Sequence, residues 1–267
     1  MNIDFSFKEK YTFEDLVHIV KLLRAPGGCP WDREQTHQSI RENFLEETYE
    51  VLEAIDNADS ALMQEELGDV LLQVVMHADM ARDEKWFTIN DVCNDICQKL
   101  IIRHPHVFGD VTVNSTGDVL KNWDDIKRQT KSQKTQSEAM AAIPATYPAL
   151  MKAQKVQSKA KKAGFDWDNS EGAFLKIQEE TEELKEALQS GDSLRVEEEL
   201  GDLLFSAVNV ARFCHCDAET ALEKATQKFM RRFTVTEKLA SEKGIDMKSA
   251  SLEMLDSLWE EAKSLTK

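Results

Sequence analysis

A chain of 267 residues with 42% hydrophobic content is long enough for one large domain or two modest ones, and its composition is that of a globular protein. Its formal net charge of −16 repels nucleic acid and anionic lipid, which excludes large nucleic acids as partners unless a local basic site overcomes that field. No stretch approaches the roughly 18 uninterrupted apolar residues of a membrane span, and residues 1–10 lack the basic start and apolar block of a secretory signal. The cysteines Cys29, Cys93, Cys97, Cys214 and Cys216 form no CxxC pair. A cytoplasmic protein with reduced, packing thiols is expected, with no membrane partner.

Helix-period patterning runs through the chain and strand-like alternation is scarce, so the expected fold class is all-α. The first half offers Gly27-Gly28-Cys29-Pro30-Trp31-Asp32, a helix bearing Glu47 and Glu50, turn chemistry at Asn57-Ala58-Asp59-Ser60, and a helix bearing Glu66 and Asp69. Gln98–Arg103, His104–Asp110 and Trp123-Asp124-Asp125 follow. The polar stretch Arg128–Ser137, with Pro144 and Pro148 after it, has a linker's composition. The expected organisation is a first repeat at 1–130, a linker at 131–145 and a second repeat at 146–267. In the second repeat a Lys-rich helix from about Pro148 to Ala163 should stop at Gly164. An acidic helix from about Gly172 to Gln189 follows Phe165-Asp166-Trp167-Asp168. The turn Ser190-Gly191-Asp192-Ser193 then folds a helix beginning near Leu194 back on it.

Two halves carry one acidic pattern: Glu47, Glu50, Glu66 and Asp69 recur 133 positions later as Glu180, Glu183, Glu199 and Asp202. Asp69 and Asp202 each sit among leucines, where an acid without a partner is costly. Four hard oxygen ligands in each half form a candidate site for Mg²⁺, with Mn²⁺ as the other fitting ion. A solvated acidic face explains any single ExxE pair, but not a repeated quartet.

Lys176, Glu180 and Glu183 stand at i, i+4 and i+7, as do Arg195, Glu199 and Asp202, so each strip joins one cation to two carboxylates. That pairing suits a metal polyphosphate, with Lys and Arg neutralising the oxygens that a metal leaves uncovered. Lys228, Arg231 and Arg232 are candidate phosphate contacts on a third helix, and Trp259 is a candidate base-stacking residue, against the alternative that it is core. The lysines at 152, 155, 159, 161 and 162 read as a solvated helix face. A di-iron bundle needs two ExxH motifs on facing helices, whereas only Glu34 to His37 occurs, its repeat positions being Ser170 and Ala173. A P-loop is absent.

These motifs resemble the MazG family of nucleoside triphosphate pyrophosphohydrolases, within the all-α pyrophosphatase superfamily. The residues that carry the likeness are Gly27–Asp32, the paired EExxE and ExxD motifs, His104–Asp110 and Lys228-Phe229-Met230-Arg231-Arg232. The resemblance implies two tandem helical bundles completed by homodimerisation. It also implies hydrolysis of nucleoside triphosphates, ATP among them, between the α and β phosphates, with Mg²⁺ on Glu180, Glu183, Glu199 and Asp202 as the catalytic set.

The repeats differ in their cations. Lys176 corresponds to Asn43, Arg195 to Leu62 and Arg231 to Ile102, so the first repeat keeps Glu47, Glu50, Glu66 and Asp69 but loses phosphate-facing charge. The second repeat is expected to be the main catalytic one, and the first weak, silent or structural. The alternative class is a noncatalytic metal- or nucleotide-binding helical dimer that senses or docks. A narrow dUTPase-like diphosphatase is a further alternative, and both nucleotide-pool house-cleaning and broad action on ordinary triphosphates are compatible with the residues.

Overall fold

The computed structural model describes residues 5–113, 115–119, 122–123, 126 and 135–266. Asp124, Asp125 and residues 127–134, the last including the start of the expected linker, lie outside the described residues. All regular structure among the described residues is helical. The chain divides into two compact units, Met1–Lys127 and Arg128–Lys267.

Unit 1 contains α1 (Phe13–Arg24), α2 (Pro30–Glu34), α3 (Arg41–Asp56), α4 (Ser60–Asp83), α5 (Ile89–Arg103) and α6 (Pro105–Phe108). Thr12 and Asp15 close a reciprocal capping box at the start of α1. Asp59 accepts the backbone N–H groups of Ala61 and Leu62, which sets the start of α4 and folds it back on α3. Phe13, Leu16 and Val17 of α1 pack with Val20 around Val75, Met76 and Met80 of α4. Val20 and Val75 are the bulkiest fully buried side chains, and each contributes about 1.5–3 kcal/mol by leaving water.

Unit 2 contains α7 (Gln136–Ala141), α8 (Ala149–Lys162), α9 (Ser170–Ser190), α10 (Ser193–Phe213), α11 (Ala218–Glu242) and α12 (Leu252–Leu265). The short α7 falls inside the segment expected to be linker, its first turn fixed by a capping box between Thr135 and Glu138. Gly164 ends the Lys-rich helix with φ +87°, and Gly191 makes the α9–α10 turn with φ +73°. Asp192 then caps α10 as Asp59 caps α4. The counterpart of Gly191 in unit 1 is Ala58, which holds φ +53° without glycine's freedom. Within unit 2, α8 packs on α10 and α11 while Leu239, Ala240, Leu258 and Ala262 join α11 to α12.

Candidate active site

The α9–α10 hairpin sets the acids face to face. Glu180 is 3% exposed, and one carboxylate oxygen each from Glu180, Glu199 and Asp202 lie within 4.8 Å of one another. Glu183 completes the quartet beside Glu180. Burial, and then Glu180, push the Glu183 carboxyl above its ordinary value of 4.5. One turn earlier on α9, Lys176 Nζ donates to Glu180 Oε1 at 2.5 Å and to Glu179 Oε1 at 2.9 Å. The hydrogen bond to Glu180 holds the Lys176 ammonium well above its ordinary 10.5, so it stays charged. Arg195 reaches Glu199 and Glu186, each at 3.5 Å.

Unit 1 repeats the acid set: oxygens of Glu47, Glu66 and Asp69 converge within 4.8 Å, with Glu50 beside Glu47 and Glu66. Burial raises the carboxyls of Glu47 and Glu66, helped by Asp69 at Glu47 and by Glu50 at Glu66. Thr48 and Thr181 give their hydroxyl hydrogens to the carbonyls of Phe44 and Ile177, an equivalent detail on α3 and α9. Asn43 and Leu62 stand where unit 2 has Lys176 and Arg195, so this quartet lacks the cations that flank the other.

Beside the unit 2 quartet lies a cavity of about 650 Å³, with Lys176, Glu180 and Asp202 on one side and Phe165, Trp167 and Val156 on another. Gly172 lets Trp167 lie against α9, since a Cβ there would stand 2.4 Å from Trp167 Cδ1. Two amides facing the cavity have fixed orientations. Gln157, 6% exposed, donates its Nε2 hydrogen to the Phe205 carbonyl at 2.7 Å, which leaves its Oε1 buried without a partner. Asn209 accepts from Arg212 Nε at 2.8 Å through Oδ1, so its NH₂ group is free to donate. Arg212 is itself gripped by both carboxylate oxygens of Asp166, which lowers the proton affinity of that acid. Gln157, Ser206 and Asn209 thus line the cavity beside Phe165 and Trp167.

The MazG nucleotide pyrophosphohydrolase domain matches this chain twice, over residues 35–108 and 169–236, each match spanning one quartet. The Nucleoside triphosphate pyrophosphohydrolase/pyrophosphatase MazG of Thermotoga maritima is 50% identical over 251 residues, covering 94% of this chain and 95% of that protein. The nucleoside triphosphate pyrophosphohydrolase of Escherichia coli K12 is 45% identical over 251 residues, covering 93% and 95%. The chain belongs to the MazG nucleotide pyrophosphohydrolase family. MazG membership makes it an enzyme, not a docking module. Among the described residues no helix is long and apolar enough to cross a membrane.

Of the residues read from the sequence, α9 and α10 bring together Lys176, Glu180, Glu183, Arg195, Glu199 and Asp202. The α11 cations stand apart from the cavity wall: Lys228 and Arg231 are exposed, and Arg232 is half-buried with Nε lacking a partner. Trp259 rests against Phe229 at 5.1 Å between ring centroids. Sequence reasoning missed Gln157, Asn209 and the Asp166–Arg212 pair. The Phe165-Asp166-Trp167 motif marked one end of that pair, but Gln157 lies among lysines and gives no local signal.

Proposed function

We propose that the chain hydrolyses nucleoside triphosphates to monophosphate and pyrophosphate at the α–β bond, in the cavity beside Glu180, Glu183, Glu199 and Asp202. The observation that carries this reading is the convergence of three acids beside a cavity of nucleoside size that Lys176, Glu180 and Asp202 help to line. The residues fit a divalent cation: a positive ion relieves the crowding of like charges that, with burial, pushes the Glu183 carboxyl up, and all donors are hard oxygens suited to Mg²⁺ or Mn²⁺. Such an ion, bound by Glu180, Glu183, Glu199 and Asp202, would supply charge neutralisation and an acidified water.

The chain's own groups complete the chemistry. Lys176 on α9 and Arg195 on α10, each paired with an acid of the quartet, would neutralise phosphate oxygens that a bound ion leaves uncovered. Phe165 and Trp167 offer stacking surface for a base. Gln157, whose buried Oε1 has no partner, turns that oxygen to an N–H of the base edge when substrate enters, and the Asn209 amide donates to a neighbouring acceptor. Lys228, Arg231, Arg232 and Trp259 are proposed to reach substrate in a homodimer, a state that the exposed Leu222, Phe229, Met230 and Phe233 along α11 support. The N-terminal quartet, Glu47, Glu50, Glu66 and Asp69, is a second metal site with weak or no turnover. The proposed limits are 1–130 and 146–267 for the repeats and 131–145 for the linker, in a cytoplasmic protein.

The test is hydrolysis of a panel of triphosphates with Mg²⁺ in ¹⁸O-water, with pyrophosphate and orthophosphate measured separately. Pyrophosphate with the label in the monophosphate supports attack at the α phosphorus. Orthophosphate, or metal-dependent binding without product, defeats the proposal.

A further inference from the structure

Unit 1 holds a cavity of about 420 Å³ that no acid of its quartet lines; His37, Arg41, Phe44, His77, Phe87 and Val92 form much of its wall. Trp86, His37 and His77 are three nearly parallel rings, 5.4 Å and 5.0 Å between successive centroids, and the two imidazoles lie edge to edge. Phe44 stands edge-on to His77 at 5.9 Å. The lone ExxH histidine is therefore half of a histidine pair. No third His, Cys, Asp or Glu joins the two in a metal-binding group among the described residues.

The pair has a definite hydrogen arrangement. Its Nδ1 atoms are 2.7 Å apart, so a single hydrogen lies between them. His37 Nε2 is buried without a partner, and an orphaned buried N–H is the costlier of the two possibilities there. His37 Nδ1–H therefore donates to His77 Nδ1, and His77 carries its own hydrogen on Nε2. Burial, and then His37, hold His77 below its ordinary 6.5.

The polar residues that line this mainly apolar cavity are His77, whose Nε2 carries its hydrogen, and Arg41, whose guanidinium has no ion-pair partner among the described residues. Among the described residues no carboxylate lines it. A site with aromatic walls and donors only suits a planar ligand that bears an anion. The corresponding residues of the other repeat are Ala173 for His37, Phe174 for Arg41, Ile177 for Phe44 and Val210 for His77. The donors are thus peculiar to unit 1.

We propose that this cavity binds a nucleoside monophosphate, with its base against the aromatic wall and its phosphate on Arg41 and His77, as a site separate from both quartets. The choice of a nucleotide over other planar anions rests on the proposed reaction, which releases that class of product. Calorimetric titration of the full chain in EDTA with AMP, GMP, CMP and UMP tests it, because phosphate has no metal to hold it at the acidic quartets. One bound equivalent is expected, at least about tenfold weaker in Arg41→Ala and in His77→Leu, unchanged in Glu180→Ala and Gln157→Leu, and weaker for ribose 5-phosphate. Arg41 is exposed, so its variant leaves the packing intact, and circular dichroism melts report whether His77→Leu still folds. Absence of binding in EDTA overturns the site, as does equal affinity in Arg41→Ala or loss of binding in Gln157→Leu. Failure of pyrophosphate release in the separate turnover assay would strike the proposed reaction instead.

Discussion

In unit 1, α1 presses Leu16, Val17 and Val20 against α4, and Arg24 Nε donates to Asp79 at 2.9 Å. In unit 2 the residues 136 positions on are Lys152, Ala153, Val156 and Ala160, and the counterpart of Asp79, 133 positions on, is Arg212, paired with Asp166. The ion pair has exchanged its ends: the cation left the first helix for the acid-bearing one, and the anion moved to the loop before α9. Bulk left with it, so Met76 sits in an apolar cluster while its counterpart Asn209 faces a cavity. Equal acidic quartets therefore do not come with equal cavities; the helix packed behind the acids decides what else can enter.

Removing one acid from each half tests that contrast most sharply. Glu180→Ala should lower pyrophosphate release by on the order of 100-fold or more, whereas Glu47→Ala should change it less than about twofold. Steady-state assays yielding the reverse order would assign catalysis to unit 1. The flanking cation comes next: Lys176→Ala should raise KM about tenfold through loss of a charged phosphate contact, with melting temperature little changed. Gln157→Leu should raise KM about fivefold and leave kcat nearly constant, as expected for a group that holds the base and not the reacting phosphorus. A fall in kcat alone would instead make Gln157 part of the chemistry.

Two stability measurements sharpen the comparison further. Glu47, Glu66 and Glu183 hold protons more tightly in the folded chain than the ordinary value of 4.5 allows. Their stabilising contribution is full below that value and is lost as pH rises through the raised folded values. The gain in melting temperature on adding Mg²⁺ should therefore grow from about pH 5 to about pH 7.5. Glu47→Gln with Glu66→Gln should remove unit 1's share of that growth, and a gain independent of pH would count against either quartet as a cation site. The smallest effect concerns the turns: Ala58→Gly should stabilise unit 1 by about 0.5–1 kcal/mol, and Gly191→Ala should cost unit 2 about 1 kcal/mol, both read by urea unfolding.

The helices and the quartets were legible because their causes are local. Asp192 and Gly191 stand beside the turn that they make, and acids spaced three or four apart on antiparallel helices meet whatever lies around them. The acidic helix begins two residues before its expected start at Gly172 because Asn169 caps the N–H of Glu171. The cavity was not legible, since it is made by what α8 lacks. Asp166 and Arg212 lie 46 residues apart, and neither residue's neighbours reveal the other. The histidine pair escaped for the same reason, as His37 and His77 are separated by 40 positions.

Met140 of α7 also lines the unit 2 cavity, although it belongs to the stretch whose composition reads as a tether. Any attempt to excise a minimal catalytic fragment therefore has to begin upstream of Thr135, whose capping box fixes α7. A cut at residue 146, natural by composition, would remove a wall along with the leash. The join between the repeats is in this sense a working part of the second one, and insertions placed there for fusion or labelling should be read first for their effect on substrate affinity.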